Sequence, residues 1–85
     1  SADFADQQSL ISAYPNPTSD FLNVELGDVQ PHLIRIVDIQ GRVMQQHEGT
    51  TVPSRLNVSE LPAGIYFLSV MDRQQRYHSV GFIKE

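Results

Sequence analysis

Serine, histidine and aspartate all occur in this 85-residue chain, so hydrolysis by a nucleophile and a base is the first chemistry to weigh. Their spacing carries no signature. The sequence has no Gly-x-Ser-x-Gly elbow to expose a nucleophile, no His-Glu-x-x-His pair to hold zinc and no glycine-rich loop to cradle phosphate. His32, His47 and His78 fall at a strand start, a strand end and mid-strand, which predicts solvent-facing histidines. A metal would need two of them on adjacent strands with a carboxylate nearby. Asp20, Asp28 and Asp72 stand at predicted strand ends and lack the alternating oxygen ligands of a calcium loop, so turn formation is their expected role. Asn57-Val58-Ser59 spells an N-glycosylation triplet, expected with Asn57 pointing outward and Ser59 opening a turn. Tyr14, Tyr66, Tyr77, Phe67 and Phe82 offer rings for a sugar-stacking platform, but in an alternating β chain such rings fill the core, and most are expected to face inward. No catalytic residue, cofactor or metal ligand is assigned.

Composition narrows the classes further. Ten acidic and six basic residues give a net charge of −4, and 40% of the chain is hydrophobic. That suits one small domain, whose core must be continuous because so short a chain buries only about 60% of its unfolded surface. The five arginines and Lys84 are scattered, which argues against a nucleic-acid partner. No apolar run approaches the roughly 20 residues of a membrane span. With no cysteine, disulfides and thiol chemistry are excluded. The chain opens at Ser1 without a methionine or an apolar leader, so it is expected to be a piece of a longer protein.

Short period-two segments bounded by turn residues dominate from residue 9 onward. Residues 1–8 (Ser1, Ala2, Asp3, Phe4, Ala5, Asp6, Gln7, Gln8) read as a flexible linker, and 9–85 as the domain. Ser9 to Tyr14 is a first strand, stopped by Pro15-Asn16-Pro17, where two missing N–H groups forbid a ladder. Phe21 to Leu26 follows, with Leu22, Val24 and Leu26 on one face. Leu33 to Ile39 places Ile34 and Ile36 opposite Arg35. Asp38-Ile39-Gln40-Gly41-Arg42 is the strongest hairpin signal: Asp bonds the turn backbone and Gly41 supplies a positive φ. Arg42 to His47 returns antiparallel. Glu48 to Arg55 is a loop, and Leu56 to Val58 a brief strand with both apolar residues inward. Gly64 to Met71, apolar on both faces, belongs in the middle of a sheet. Gln74-Gln75 turns into the last strand, Tyr77 to Lys84, with Val80 and Phe82 inward and Gly81 as a kink or bulge.

Seven strands, no helix and frequent turns predict an all-β, immunoglobulin-like sandwich of antiparallel strands. Leu61-Pro62-Ala63-Gly64-Ile65-Tyr66 matches a tyrosine corner, in which the phenol bonds back to the chain a few residues upstream. Tyr66 is then an element of the fold.

The order of these blocks resembles a known family. Tyr14-Pro15-Asn16-Pro17, then Ile36 to Val43 around Gly41-Arg42, then Leu56 to Leu68 around Leu61, Gly64 and Tyr66, and finally a strand at the extreme end, together resemble the C-terminal sorting domain of type IX secretion cargo from Bacteroidetes. The resemblance spans Tyr14 to Glu85. It implies a seven-stranded sandwich that is a secretion address, handled by the outer-membrane translocon and its shuttle protein and delivered to the cell surface or beyond. It further implies removal by a surface sortase, often with attachment of the cargo to lipopolysaccharide, and cleavage within Ser1 to Gln8. Val80, Gly81, Phe82, Ile83, Lys84 and Glu85 correspond to the terminal block on which export depends. The family's usual lysine-rich ending is reduced here to Lys84.

An edge strand offers unpaired N–H and C=O groups, so recognition of the last strand by β-augmentation is expected. The same edge allows pairing of two copies as an edge-strand dimer. The competing readings are a carbohydrate-binding or adhesion module of a secreted protein, and a fibronectin-type spacer that leaves the terminal block without a role.

Overall fold

The computed structural model describes residues 11–48 and 54–85. Seven strands run in the order β1 (Ser12–Tyr14), β2 (Phe21–Glu25), β3 (Pro31–Asp38), β4 (Val43–Glu48), β5 (Arg55–Asn57), β6 (Gly64–Asp72) and β7 (Tyr77–Lys84). They form two antiparallel sheets, a three-stranded one ordered β1-β2-β5 and a four-stranded one ordered β4-β3-β6-β7. The described residues contain no helix. Residues 1–8 of the expected linker, and much of the loop expected from Glu48 to Arg55, lie outside the described residues.

Alternation builds the core. Every second side chain of a strand faces the opposite sheet, so Leu22 and Val24 on β2 and Leu56 on β5 meet Ile34 and Ile36 on β3, Tyr66, Leu68 and Val70 on β6, and Phe82 on β7. Ile11, Val58 and Leu61, outside the strands, join the same cluster. Each large aliphatic buried this way contributes roughly 1.5–3 kcal/mol. β6 is interior to its sheet, as its apolar pattern predicts, although Ile65 and Phe67 on its outer face stay exposed.

The β3–β4 turn forms as the sequence predicts. Asp38 Oδ1 accepts from the backbone N–H groups of Gln40 and Arg42, each at 2.9 Å, and Gly41 has φ of 84°. An extra residue on β4, Met44, shifts the register between Ile36 and Val37.

Of the predicted kink or bulge at Gly81, the bulge is absent. β6 and β7 pair without a register shift from Gly64–Lys84 to Met71–Tyr77. The outer face explains the glycine: a Cβ at position 81 would lie 3.4 Å from Phe67 Cε1, so the cross-strand ring covers a site without a side chain.

Candidate functional site

β7 forms one edge of the four-stranded sheet. Phe82 and Lys84 turn inward and are buried, while Tyr77, Ser79, Gly81 and Ile83 face outward. Along the free side, the Asn16 to Thr18 segment lies against the end of the strand. Asn16 Oδ1 accepts from Ile83 N–H at 2.9 Å, Thr18 N–H donates to Ile83 O at 2.9 Å, and Glu85 N–H donates to Thr18 O at 2.8 Å. Thr18 and Lys84 thereby form a parallel bridge.

The chemistry of this segment follows from its prolines. Pro15 and Pro17 have no N–H, so a regular ladder cannot form across them. The Asn16 amide oxygen takes the place of a backbone carbonyl, and Thr18 resumes backbone pairing. Thr18 is 2% exposed, and its hydroxyl donates to Phe21 O, tying the clamp to the start of β2. Both X–Pro bonds, Tyr14-Pro15 and Asn16-Pro17, are cis.

The other blocks meet this one. Gly64 pairs with Lys84, and Tyr66 pairs with Phe82 on one side and Asp38 on the other. The Tyr66 hydroxyl donates to Pro62 O at 2.6 Å, which is the expected tyrosine corner, and its ring stacks on Phe82 at a centroid distance of 5.8 Å. Asp38 is 8% exposed and holds Arg42 Nε at 2.7 Å from Oδ2, leaving the guanidinium largely in solvent. The Arg42 and Gln40 donors hold the Asp38 carboxyl below its ordinary value. Leu61 is buried beneath this end. Blocks separated by up to 67 residues thus converge at one end of the sandwich.

The terminal lysine is not a displayed charge. Lys84 is 7% exposed, and its ammonium donates to Glu85 O at 2.8 Å.

Three expectations need correction. Of the six described aromatic residues, only Tyr66 and Phe82 are buried, while Tyr14, Phe21, Phe67 and Tyr77 are exposed. The prediction that most face inward fails because rings on the outer faces lie across strands or against neighbours. The Tyr14 hydroxyl donates to Glu25 at 3.2 Å, whose charge raises the phenol pKa, and the Arg55 guanidinium sits 5.2 Å above the Phe21 ring. His78 does not face solvent: it is half-buried, with Nε2 3.0 Å from Asp72 Oδ2. His47 is also half-buried, because its strand position turns its ring toward β5.

Asp72 is the turn former expected of it, accepting from Gln74 and Arg76 N–H at 2.8 and 2.9 Å. His78 and these donors hold its carboxyl below the ordinary value. Asn57 is exposed and accepts from both N–H and Oγ of Ser59, as expected of a turn. The roles of Thr18 and of the Asn16 amide were not visible in the sequence. The likeness of Asp72-Arg73-Gln74-Gln75-Arg76 to Asp38-Ile39-Gln40-Gly41-Arg42 was a readable signal for the second turn.

A cleft of about 620 Å³ lies beside Asp72 and His78, at the opposite end from the motif blocks. Among the described residues no group of three or more His, Asp or Glu is placed to hold a metal. No helix among them is long and apolar enough to cross a membrane.

Residues 12–84 match the family described as the secretion system C-terminal sorting domain. The chain belongs to that family. Solved structures agree on the fold of this sorting domain. A protein of Bacteroides vulgatus with an immunoglobulin-like β-sandwich fold superposes with a TM-score of 0.70 at 21% identity, covering 94% of this chain and 88% of that one. PorZ, an essential surface component of the type IX secretion system of Porphyromonas gingivalis, superposes with a TM-score of 0.68 at 20% identity. That match covers 88% of this chain and only 11% of PorZ. The predicted immunoglobulin-like, all-β sandwich is therefore the fold. Comparison with the curated proteins finds no match.

Proposed function

We propose that this sorting domain is the export address of an upstream cargo protein, carried through the periplasm and across the outer membrane by the type IX system to the cell surface or beyond. The observation that carries this reading is the family match over residues 12–84. The likeness to PorZ supports it at the level of fold. On this reading the domain transforms no substrate. Its partners are the outer-membrane translocon, the shuttle protein and a surface sortase that cuts within Ser1 to Gln8 and leaves the cargo anchored.

The block residues divide their labour. Asn16, with its flanking Pro15 and Pro17, closes the free side of the terminal strand at its end, at Ile83. Gly41 and Arg42 shape the β3–β4 turn, and Leu61, Gly64 and Tyr66 lock the start of β6. The terminal block, Val80 to Glu85, is then presented in a fixed shape and not as a loose tail. A buried Lys84 fits recognition by shape over recognition by positive charge.

Fusing these 85 residues to a periplasmic reporter in a type IX-competent bacterium tests the proposal. The reporter should reach the surface with the domain and remain in the periplasm without it. Retention of both overturns the reading.

The carbohydrate-binding alternative draws on Tyr14 and Phe21, both exposed on the three-stranded sheet. Arg55 already lies over the Phe21 ring and Glu25 holds the Tyr14 hydroxyl, so both rings are engaged by neighbours within the domain. A glycan-binding screen with no hits is the expected result.

A further inference from the structure

The sandwich has four edges, and three of them are blunted. β1 and β5, which bound the three-stranded sheet, are each three residues long. β4 carries the register shift at Met44 and ends in Glu48. Short strands, bulges and charges are the ordinary protections of an edge. β7 differs. It is eight residues long, and between Tyr77 and Gly81 it carries no proline, lysine or carboxylate.

Backbone parity shows which groups of β7 are open. Ile83 directs both its N–H and its C=O to the Asn16–Thr18 clamp, away from β6. Because β6 and β7 pair without a register shift, alternation places the N–H and C=O of Gly81, Ser79 and Tyr77 on the same outer side. No described residue hydrogen-bonds to that stretch from this side, although β1 passes close to β7, whereas the end of the strand, Ile83 to Glu85, is closed. Among the described residues the edge is thus divided into a sealed tip and an open middle.

We propose that the open stretch from Tyr77 to Gly81 takes an extended segment of a protein of the export machinery as an added β-strand, in line with the clamp. This rests on the export reading above and names where and how the partner docks. Three features select an extended polypeptide as the occupant. The unpaired groups are backbone donors and acceptors in strand register. The neighbouring part of the same edge already binds an extended segment, Asn16 to Thr18, by that chemistry. The outer face beside the edge carries the exposed apolar pairs Ile65–Ile83 and Phe67 over Gly81, against which apolar side chains of an added strand would pack. The end of the terminal block, Ile83 to Glu85, therefore acts indirectly: by engaging the clamp it fixes β7 and leaves the stretch before it available.

Ser79→Pro is the discriminating variant. It removes an N–H that points away from β6, so the β6–β7 ladder is retained, and proline is tolerated at such an edge position. Ser69→Lys is its counterpart, since Ser69 pairs with Ser79 on the same outer face but one strand inward, away from the edge. Surface delivery of the reporter fusion is measured for wild type and each variant, with folding checked by circular dichroism and thermal melting. We expect delivery to fall about tenfold for S79P and to stay near wild type for S69K, the drop corresponding to loss of one or two backbone hydrogen bonds. Should S79P fail to fold, Ser79→Lys, which charges the edge without changing the backbone, carries the test with the same expected loss. Normal delivery of a folded S79P overturns the proposal, and equal loss in both variants overturns it in favour of recognition through the sheet face. A wild-type dimer on sizing chromatography that S79P dissociates would make a second copy the occupant and also overturn it. Failure of the wild-type fusion to leave the periplasm is a different outcome, which refutes the export reading itself.

Discussion

Two turns of nearly the same sequence show what a single residue contributes. In each, an aspartate carbonyl and carboxylate bind the turn backbone, and the fourth residue has positive φ: 84° at Gly41 and 67° at Gln75. A side chain in this region is strained, by roughly 1 kcal/mol or more, whereas glycine is not. Nothing lies within 4 Å of a Cβ at position 41, so the cost there is conformational and not steric. Gly41→Gln is expected to destabilise by about 1–2 kcal/mol, and Gln75→Gly to stabilise by up to about 1 kcal/mol. Urea unfolding of the two variants should move the midpoint in opposite directions. Tyr66→Phe leaves the Pro62 carbonyl without its donor in a part-buried corner. A loss of about 1–2 kcal/mol with an unchanged denaturant slope is expected.

At the scale of the element, β7 is held from two unlike sides. β6 supplies a full antiparallel ladder, and the clamp supplies one side-chain and two backbone bonds. Asn16→Ala removes the acceptor for Ile83 N–H while leaving Thr18 in place. Stability should fall by about 0.5–1.5 kcal/mol, and amide exchange at Ile83 should quicken while Phe82, on the β6 side, stays protected. Equal protection of Ile83 in both proteins would show that the Asn16 bond is not formed in solution. Thr18→Val keeps the buried branched shape but loses the bond to Phe21 O, and should cost about 1 kcal/mol. These two changes separate closing the strand edge from anchoring the clamp.

For the molecule as a whole, acid should act through both ends together. Asp38 supports the end where the motif blocks meet, and Asp72 supports the opposite end with His78. Both carboxyls are held below their ordinary values, so each binds a proton more readily when unfolded. Their contribution is complete above the ordinary carboxylate range and is lost as pH falls through the lower folded-state values. Tm from these two groups should be flat near neutrality and drop in the acid range. In a D38N/D72N double variant, which keeps an oxygen acceptor at each turn, that acid drop should be shallower.

The strands were legible because their information is local. The alternation of Leu22 with Val24, of Ile34 with Ile36 and of Tyr66 with Leu68 and Val70 fixes which side of each strand is wet. The hairpin at Asp38 and the tyrosine corner were readable for the same reason, since each device closes within four residues. Gly81 was misread because its cause, the Phe67 ring, lies on the neighbouring strand. The exposed rings of Phe21 and Tyr14 were misjudged because their covers, Arg55 and Glu25, are remote in sequence. Sequence alone therefore determined the strand pattern, the turns and membership in a family. Only the tertiary structure decided that Asn16 meets Ile83, that the motif blocks share one end, and that the last strand is sealed at its tip and, among the described residues, open in its middle. Those outcomes depend on which backbone groups two distant segments direct at each other, and that is set by the packing of the two sheets.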